Sequence, residues 1–553
     1  MKSASTLKYL ILSAFILIQT GVFAKTPSLY RNADQKEMKA WVDSVYSQLS
    51  RRERIGQLFM PIVMAKDSLI DGNLRKLVQK DGVGGILFSR GYVSDYVHAV
   101  NYSQELSKVP LMISIDGEWG VSMRVKDAVK FPRNMVIGAI SDDKLIYAYG
   151  CELARQCKLL GIHVDFAPVL DVNTNPENPI IGTRALGELH HKVAQKGVAL
   201  SKGMEDSGIL SVGKHFPGHG STTEDSHKTL PTIDKQLKEY EMIDLYPFRK
   251  YINSGLGGIL TAHLNLPQFD DSGKPGSMNK TIVKEYLQDK LGFEGLTFTD
   301  GLNMKGAIAD GSVCVAALKA GNDVLLAPKN ISGEIKEIEQ AIDNGTLEEA
   351  LVNAKCRKIL EYKYVLNAHQ PATLEEDGLK EKLNSTECMD LLAKLRAASI
   401  TVFKNSGKVL PVHGEENIVV MSPTGVRADF LNECKKYAKV RIAASASTVA
   451  RTVIVPVISN NAYCVNYLKR IADTGKNVVA VFFMNPYEIG SFAESLAKPN
   501  VSAVMAYDNV SLAHVYAAKA IFGAIKVDAK IPVTIPGVVK AGTGCKYPAI
   551  VKN

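Results

Sequence analysis

The sequence predicts an α/β protein, a (β/α)8-type TIM barrel followed by a C-terminal α/β sandwich domain. Three observations carry that expectation. Eight short β-rich runs alternate with longer helical patterns over about 270 residues, the spacing of parallel βα units. Ionisable residues stand at the C-terminal ends of these runs, where a barrel gathers its active site. The chain has 553 residues, too many for one core, and its pattern changes after Leu366.

The runs are 57–63, 84–88, 111–115, 162–166, 209–215, 257–263, 296–299 and 323–327. Asp116 follows the third, and Asp165 and Asp171 end the fourth. Lys214 and His215 close the fifth, His263 the sixth, and Asp300 follows the seventh. Asp165 and Asp171 also suit helix N-caps, a role that needs only a side-chain oxygen. The barrel is expected over 35–366 and a polar, partly helical linker over 367–388. The second domain then spans 389–553, with strands at 418–421, 440–444, 452–457, 478–483, 501–506 and 531–535.

The N-terminus sets an expectation of its own. Lys2 and Lys8 precede the apolar run 9–18 and then Gly21-Val22-Phe23-Ala24, the pattern of a secretory signal peptide at 1–24. The run is about half the length that spans a bilayer. An exported protein, periplasmic or secreted, with no stable membrane insertion is expected. Composition is ordinary for a globular chain, 46% hydrophobic and 22% charged. The net charge of +9 is spread, with no basic block interleaved with aromatics, which argues against nucleic acid. No Walker sequence or G-x-G-x-x-G follows a strand, so no nucleotide cofactor is expected. The eight cysteines include no C-x-x-C pair and read mostly as buried apolar residues.

Chemistry concentrates in Lys214-His-Phe-Pro-Gly-His-Gly-Ser-Thr-Thr-Glu-Asp-Ser-His227, which packs three histidines, two acids and a lysine into one segment. Pro217, Gly218 and Gly220 make the part after His215 a loop. His215, His219, Asp225 and His227 are possible metal ligands, but the His-x-x-x-His spacing forms one face only in a helix, which Pro-Gly forbids. No metal is therefore expected. Asp225-Ser226-His227 reads as a proton-transfer dyad, because a carboxylate beside an imidazole fixes its tautomer and raises its basicity. His219 is left to position backbone or ligand. Asp300, after an apolar strand and before Gly301, suits a nucleophile or an electrostatic stabiliser, or else a helix cap. Asp116-Gly-Glu-Trp119 places an acid beside one of two tryptophans, a pairing that suits carbohydrate, although Trp119 serves packing equally well. Arg184 can hold a hydroxyl or a carbonyl, or lie on the surface.

Together these motifs resemble glycoside hydrolase family 3, within it the β-N-acetylglucosaminidase branch of cell-wall recycling. The resemblance runs through Val83-Gly-Gly-Ile-Leu-Phe, Ser114-Ile-Asp, Phe166-Ala-Pro-Val-Leu-Asp-Val-Asn, Gly182-Thr-Arg, Lys214 to Gly220, Asp225-Ser-His, Thr299-Asp and Ala320-Gly-Asn-Asp. It extends to Ala520-Ile-Phe-Gly and Lys530-Ile-Pro-Val-Thr-Ile in the tail. It implies that Asp300 is the nucleophile, that His227 is the acid/base and that Asp225 is its partner. It places Asp116, Arg184, Lys214 and His215 on the sugar. The implied reaction is a retaining double displacement that releases terminal N-acetylglucosamine from peptidoglycan fragments or related glycans, with no cofactor. A neutral imidazole near the aglycone, in place of a second carboxylate, avoids repelling an anionic leaving group. The alternatives are a β-glucosidase or β-xylosidase of the same family, with its acid on a C-terminal loop, and an inactive carbohydrate-binding relative. The sequence departs from the common pattern at Gly117-Glu-Trp-Gly, at Ala185-Leu-Gly-Glu-Leu-His and at Gly301. The glycine-broken loop is expected to be mobile and to bring His227 to the substrate on closing.

Overall fold

The computed structural model describes residues 27–225, 228–412, 418–443 and 450–550. The expected signal peptide at 1–24 lies outside them. The first unit is a barrel of parallel strands: Phe59–Met60 (β1) and Ile62–Met64 (β2), Gly85–Ser89 (β3), Met112–Ile115 (β4), Val164–Asp165 (β5), Leu210–Phe216 (β6), Gly258–Thr261 (β7), Leu296–Thr299 (β8) and Leu325–Leu326 (β9). β2 to β8 form one parallel sheet in chain order. β1, separated from β2 only by Pro61, pairs with β9. The ring closes through Thr299 N–H to Val324 O at 3.0 Å, Leu325 N–H to Leu58 O at 2.8 Å and Ala327 N–H to Met60 O at 2.9 Å. Each expected run of the barrel holds one of these strands or, at its start, the β1–β2 pair.

These strands are buried on both faces, which is why they read as continuous apolar runs rather than alternating ones. Phe166 and Phe298 meet edge to face inside the barrel, ring centroids 5.3 Å apart. Outside, helices Asp143–Leu159 and His190–Asp206 pack backbone to backbone. A Cβ on Gly150 would stand 2.1 Å from Leu200 O, and one on Gly203 2.2 Å from Tyr147 O, so only glycine permits that crossing. Helix starts follow local rules: Asp34 caps Gln35–Ser47, and Ser50 with Glu53 forms a reciprocal capping box on Arg51–Gly56.

The stretch expected as a linker lies on the barrel. Asn101 exchanges two 2.8 Å hydrogen bonds with the Leu374 backbone. Leu379, Leu383 and Cys388 are buried in the barrel's apolar core. Helices Leu379–Leu383 and Thr386–Ser399 lead into the second unit.

That unit is a six-stranded sheet with an apolar core on each face. Its strands are Thr401–Lys404 (β10), Ile418–Val420 (β11), Val440–Ile442 (β12), Thr452–Val457 (β13), Asn477–Phe482 (β14) and Val501–Met505 (β15). The order is β10-β15-β14-β13-β11-β12, all parallel except β10 at the edge. Five of the six expected strands appear. The sixth, 531–535, is not a strand of this sheet, and β10 was not anticipated. Pro532 and Pro536 leave no N–H for a ladder at those positions. Ile531, Val533 and Ile535 are buried all the same, and their segment bonds to its own tail, Ile531 N–H to Thr543 O at 2.9 Å and Ile535 N–H to Val539 O at 2.8 Å. The eight cysteines are unpaired, six of them buried.

At the opposite end of the barrel from the strand C-termini, Glu205 ties three segments together. Its carboxylate accepts from Ser28 Oγ at 2.6 Å, Ser211 Oγ at 2.8 Å and Gly257 N–H at 2.9 Å. Burial nevertheless lifts its pKa from the ordinary 4.5 to about 7. The folded state then holds a proton that the unfolded state has released, so stability falls as pH rises from about 4.5 to about 7. Glu205→Gln is expected to remove ~3 kcal/mol or less of that fall, measured as urea midpoints across this range. An unchanged slope would remove Glu205 as its source.

Candidate active site

The C-terminal ends of the barrel strands converge on a cavity of about 260 Å3. Asp116 reaches it from the turn after β4, Arg184 from the loop after β5, Lys214 and His215 from β6, and Asp300 from the turn after β8. Five of the seven sequence-selected residues are therefore brought together.

A buried ion network forms one wall. Lys214, 3% exposed, places Nζ 2.5 Å from Asp116 Oδ1 and 2.9 Å from Glu118 Oε1. Arg184 grips Glu118 with two prongs, at 2.6 and 3.0 Å. Arg124 pairs with the other oxygen of Asp116 and donates Nε–H to the Asp116 carbonyl at 3.1 Å. Burial resists ionisation of both acids, but Lys214, with Arg124 at Asp116 and Arg184 at Glu118, holds them below their ordinary pKa values. Glu118 and Arg124 were not selected from sequence. A lone acid in a glycine-rich turn carries no signal of the two cations that meet it.

A second tier orients this wall. Asp171, fully buried, accepts His215 Nδ1–H at 2.6 Å and His219 N–H at 2.7 Å. The other ring nitrogen of His215, Nε2, lies 3.2 Å from Arg184 Nη2. Asp165 accepts Gly117 N–H at 2.8 Å and so holds the turn between Asp116 and Glu118. Neither aspartate is a helix cap. Burial raises the Asp165 pKa to about 7.

Asp300 donates its N–H to Thr261 O at 2.9 Å, and Oδ1 accepts Gly301 N–H at 2.8 Å. Burial opposes its charge, yet His263, His215, the Gly301 N–H and Lys214 together hold its pKa below the ordinary value. It is an ionised carboxylate on the cavity wall. His263 sits behind it, its Nε2 3.1 Å from Gly301 O and its Nδ1 2.6 Å from Ser277 Oγ.

The glycines after His215 have a steric cause. Gly218 has φ +133°, and a Cβ on Gly220 would stand 1.9 Å from Val172 O. Asp225 does not line the cavity; its side chain is 3.6 Å from Lys228 Nζ. Ser226 and His227 lie outside the described residues, and so does the expected approach of His227 to the substrate. Trp119 is turned away from this cavity. It lies under the Arg133 guanidinium, 5.2 Å from the ring centroid, and faces a cleft bounded by Thr386–Ser399 and the turn after β15.

The second unit braces the site from outside. Pro532 O accepts Glu188 N–H at 3.1 Å, and the Glu188 carboxylate accepts Thr534 N–H at 2.7 Å together with the Thr534 hydroxyl. Asn173 Nδ2–H reaches Tyr487 Oη at 2.6 Å, and Asn173 N–H bonds Gly187 O at 3.0 Å. The loop carrying Arg184 is thus clamped by a domain that supplies no described residue to the cavity.

Residues 50–362 match the glycosyl hydrolase family 3 N-terminal domain. The chain belongs to this family. Beta-hexosaminidase A of Pseudoalteromonas piscicida is 32% identical over 383 residues, a match spanning 63% of each chain. Beta-N-acetylglucosaminidase/beta-glucosidase of Cellulomonas fimi is 26% identical over 388 residues, 68% of each chain. A solved family 3 β-N-acetylglucosaminidase from Paenibacillus sp. str. FPU-7 superposes with TM-score 0.72 at 25% identity, covering 89% of this chain and all of that one. A solved counterpart thus exists for 89% of this family 3 chain.

Glu118 is fully buried between Lys214 and Arg184. Glu118→Ala leaves both cations without that partner and is expected to cost about 3–5 kcal/mol in urea unfolding. A midpoint equal to that of the wild type would show the network to be neutral for stability.

Proposed function

We propose that this chain is an exo-acting, retaining β-N-acetylhexosaminidase. The observation that carries the reading is the ionised Asp300 carboxylate sharing one small cavity with Asp116, Lys214 and Arg184, in a family 3 chain. Asp300 attacks the anomeric carbon, and the bond from that carbon to the leaving oxygen breaks. His227 gives the leaving oxygen a proton. Water then attacks the glycosyl-enzyme, His227 takes its proton, and Asp300 is released. Asp116, Lys214, Arg184 and His215 hold the sugar hydroxyls. A cavity of about 260 Å3 suits one sugar ring, which supports removal of terminal residues. The placing of His227 and Asp225 rests on the sequence pattern alone.

The N-acetylated sugar is supported by the names of both relatives and by the Asp225-Ser226-His227 motif. An imidazole carries no negative charge in either protonation state and so tolerates an acidic aglycone, which makes peptidoglycan fragments the natural substrates in this reading. Export is proposed from residues 1–24 alone. A second activity on β-glucosides is worth testing, because the Cellulomonas fimi relative carries both activities in its name.

Nitrophenyl β-N-acetylglucosaminide is expected to be hydrolysed faster than the β-glucoside. The reverse order would replace this reading with a glucosidase. Asp300→Ala is expected to lower kcat on the order of 10^4-fold. His227→Ala is expected to cost about 10^2- to 10^4-fold on a disaccharide and less on the nitrophenyl substrate, whose leaving group needs little protonation. Equal rates for wild type and His227→Ala on the disaccharide would remove His227 as the acid.

A further inference from the structure

His219 lines the cavity and is 1% exposed. Its ring stands edge to face against His215, centroids 5.9 Å apart. Nδ1 is 2.8 Å from Thr222 Oγ1, which is itself 3.1 Å from His219 O and receives Asn178 Nδ2–H at 3.2 Å. Asn178 also donates to His219 O at 3.0 Å. One edge of the imidazole is therefore locked to its own loop. The other nitrogen, Nε2, is buried and has no hydrogen-bond partner among the described residues. An orphaned polar atom of this kind costs free energy unless something else satisfies it. His219 lines the cavity, so a ligand seated there can supply that partner.

We propose that His219 is a further sugar-binding residue, its Nε2 hydrogen-bonded to a hydroxyl of the ring seated against Asp300. The proposal rests on the glycosidase reading above and adds a contact to it. A hydroxyl both donates and accepts, so it satisfies either tautomer of the ring. With the Thr222 hydroxyl donating to the His219 carbonyl, Nδ1 carries the proton and Nε2 accepts. Burial, then His215, lowers the His219 pKa to about 4, so the ring stays uncharged near neutral pH and serves binding rather than proton donation. Asp171 and Asp300 face it as the nearby acids.

The test compares nitrophenyl β-N-acetylglucosaminide with analogues lacking the 3-, 4- or 6-hydroxyl, on wild type, His219→Asn and His219→Gln. Asparagine keeps a polar atom near Nδ1 for Thr222 but does not reach Nε2, whereas glutamine restores one there. In wild type, one analogue should lose roughly 10- to 100-fold in kcat/KM. His219→Asn should lose a similar factor on the parent sugar and show no further penalty on that analogue, and His219→Gln should recover part of the loss. Identical penalties in wild type and His219→Asn overturn the inference. A wild type inert toward the parent glycoside overturns the hexosaminidase reading, and this contact with it. Should His219→Asn melt early, the 15N shift of His219 Nε2 in wild type decides instead. Saturation with N-acetylglucosamine should move it, and an unmoved signal overturns the contact.

Discussion

The site depends on keeping Lys214 and Arg184 charged inside the protein. Taking such groups out of water costs several kcal/mol each, and only close, well-aligned anions offset that. Asp116 and Glu118 supply them at 2.5 to 3.0 Å. These distances require the turn after β4, the loop after β5 and the end of β6 to be held at fixed separations. β4, β5 and β6 are hydrogen-bonded neighbours in the barrel, so the strand ladder sets those separations. The result is a polar wall already in place for a ring of hydroxyls, with little side-chain order left to impose on binding.

Behind that wall each charged group has a holder. Asp165 pins Gly117, Asp171 pins His215 and the backbone of His219, and Asn134 bonds Arg184 O at 2.8 Å. The second domain extends the chain of support through Glu188 and Thr534 and through Asn173 and Tyr487. Its described residues meet the Arg184 loop, and none of them lines the cavity. The departure at Ala185-Leu-Gly-Glu-Leu-His thus falls on the segment that meets this domain.

The barrel was legible because strands buried on both faces must be apolar, and because their ends must carry the chemistry. The misread segment 531–535 shows the limit of that logic. Its isoleucines and valine are as apolar as a core strand, but flanking prolines divert its hydrogen bonds. β10, four residues at an edge and antiparallel to β15, carries too short a pattern to stand out. In the site, Asp116, Arg184, Lys214, His215 and Asp300 were legible as polar residues at strand ends or in family motifs. Asp171 was ambiguous, since a helix cap and an imidazole holder demand the same residue type. Glu118 gave no sign, because its role exists only relative to Lys214 and Arg184, 96 and 66 positions away.

By itself the sequence determined the βα order, the loop character of the segment after His215 and the residue types facing the cavity, because periodicity and glycine sterics act locally. The tertiary structure alone decided which acid pairs with which cation, that Trp119 turns from the cavity, that His215 rather than a helix end takes the Asp171 carboxylate, and that one nitrogen of His219 has no partner among the described residues. Those outcomes are distances between strands far apart in the chain, and a distance of 2.5 or 3 Å across a barrel is set by closure of the sheet, which no local pattern records.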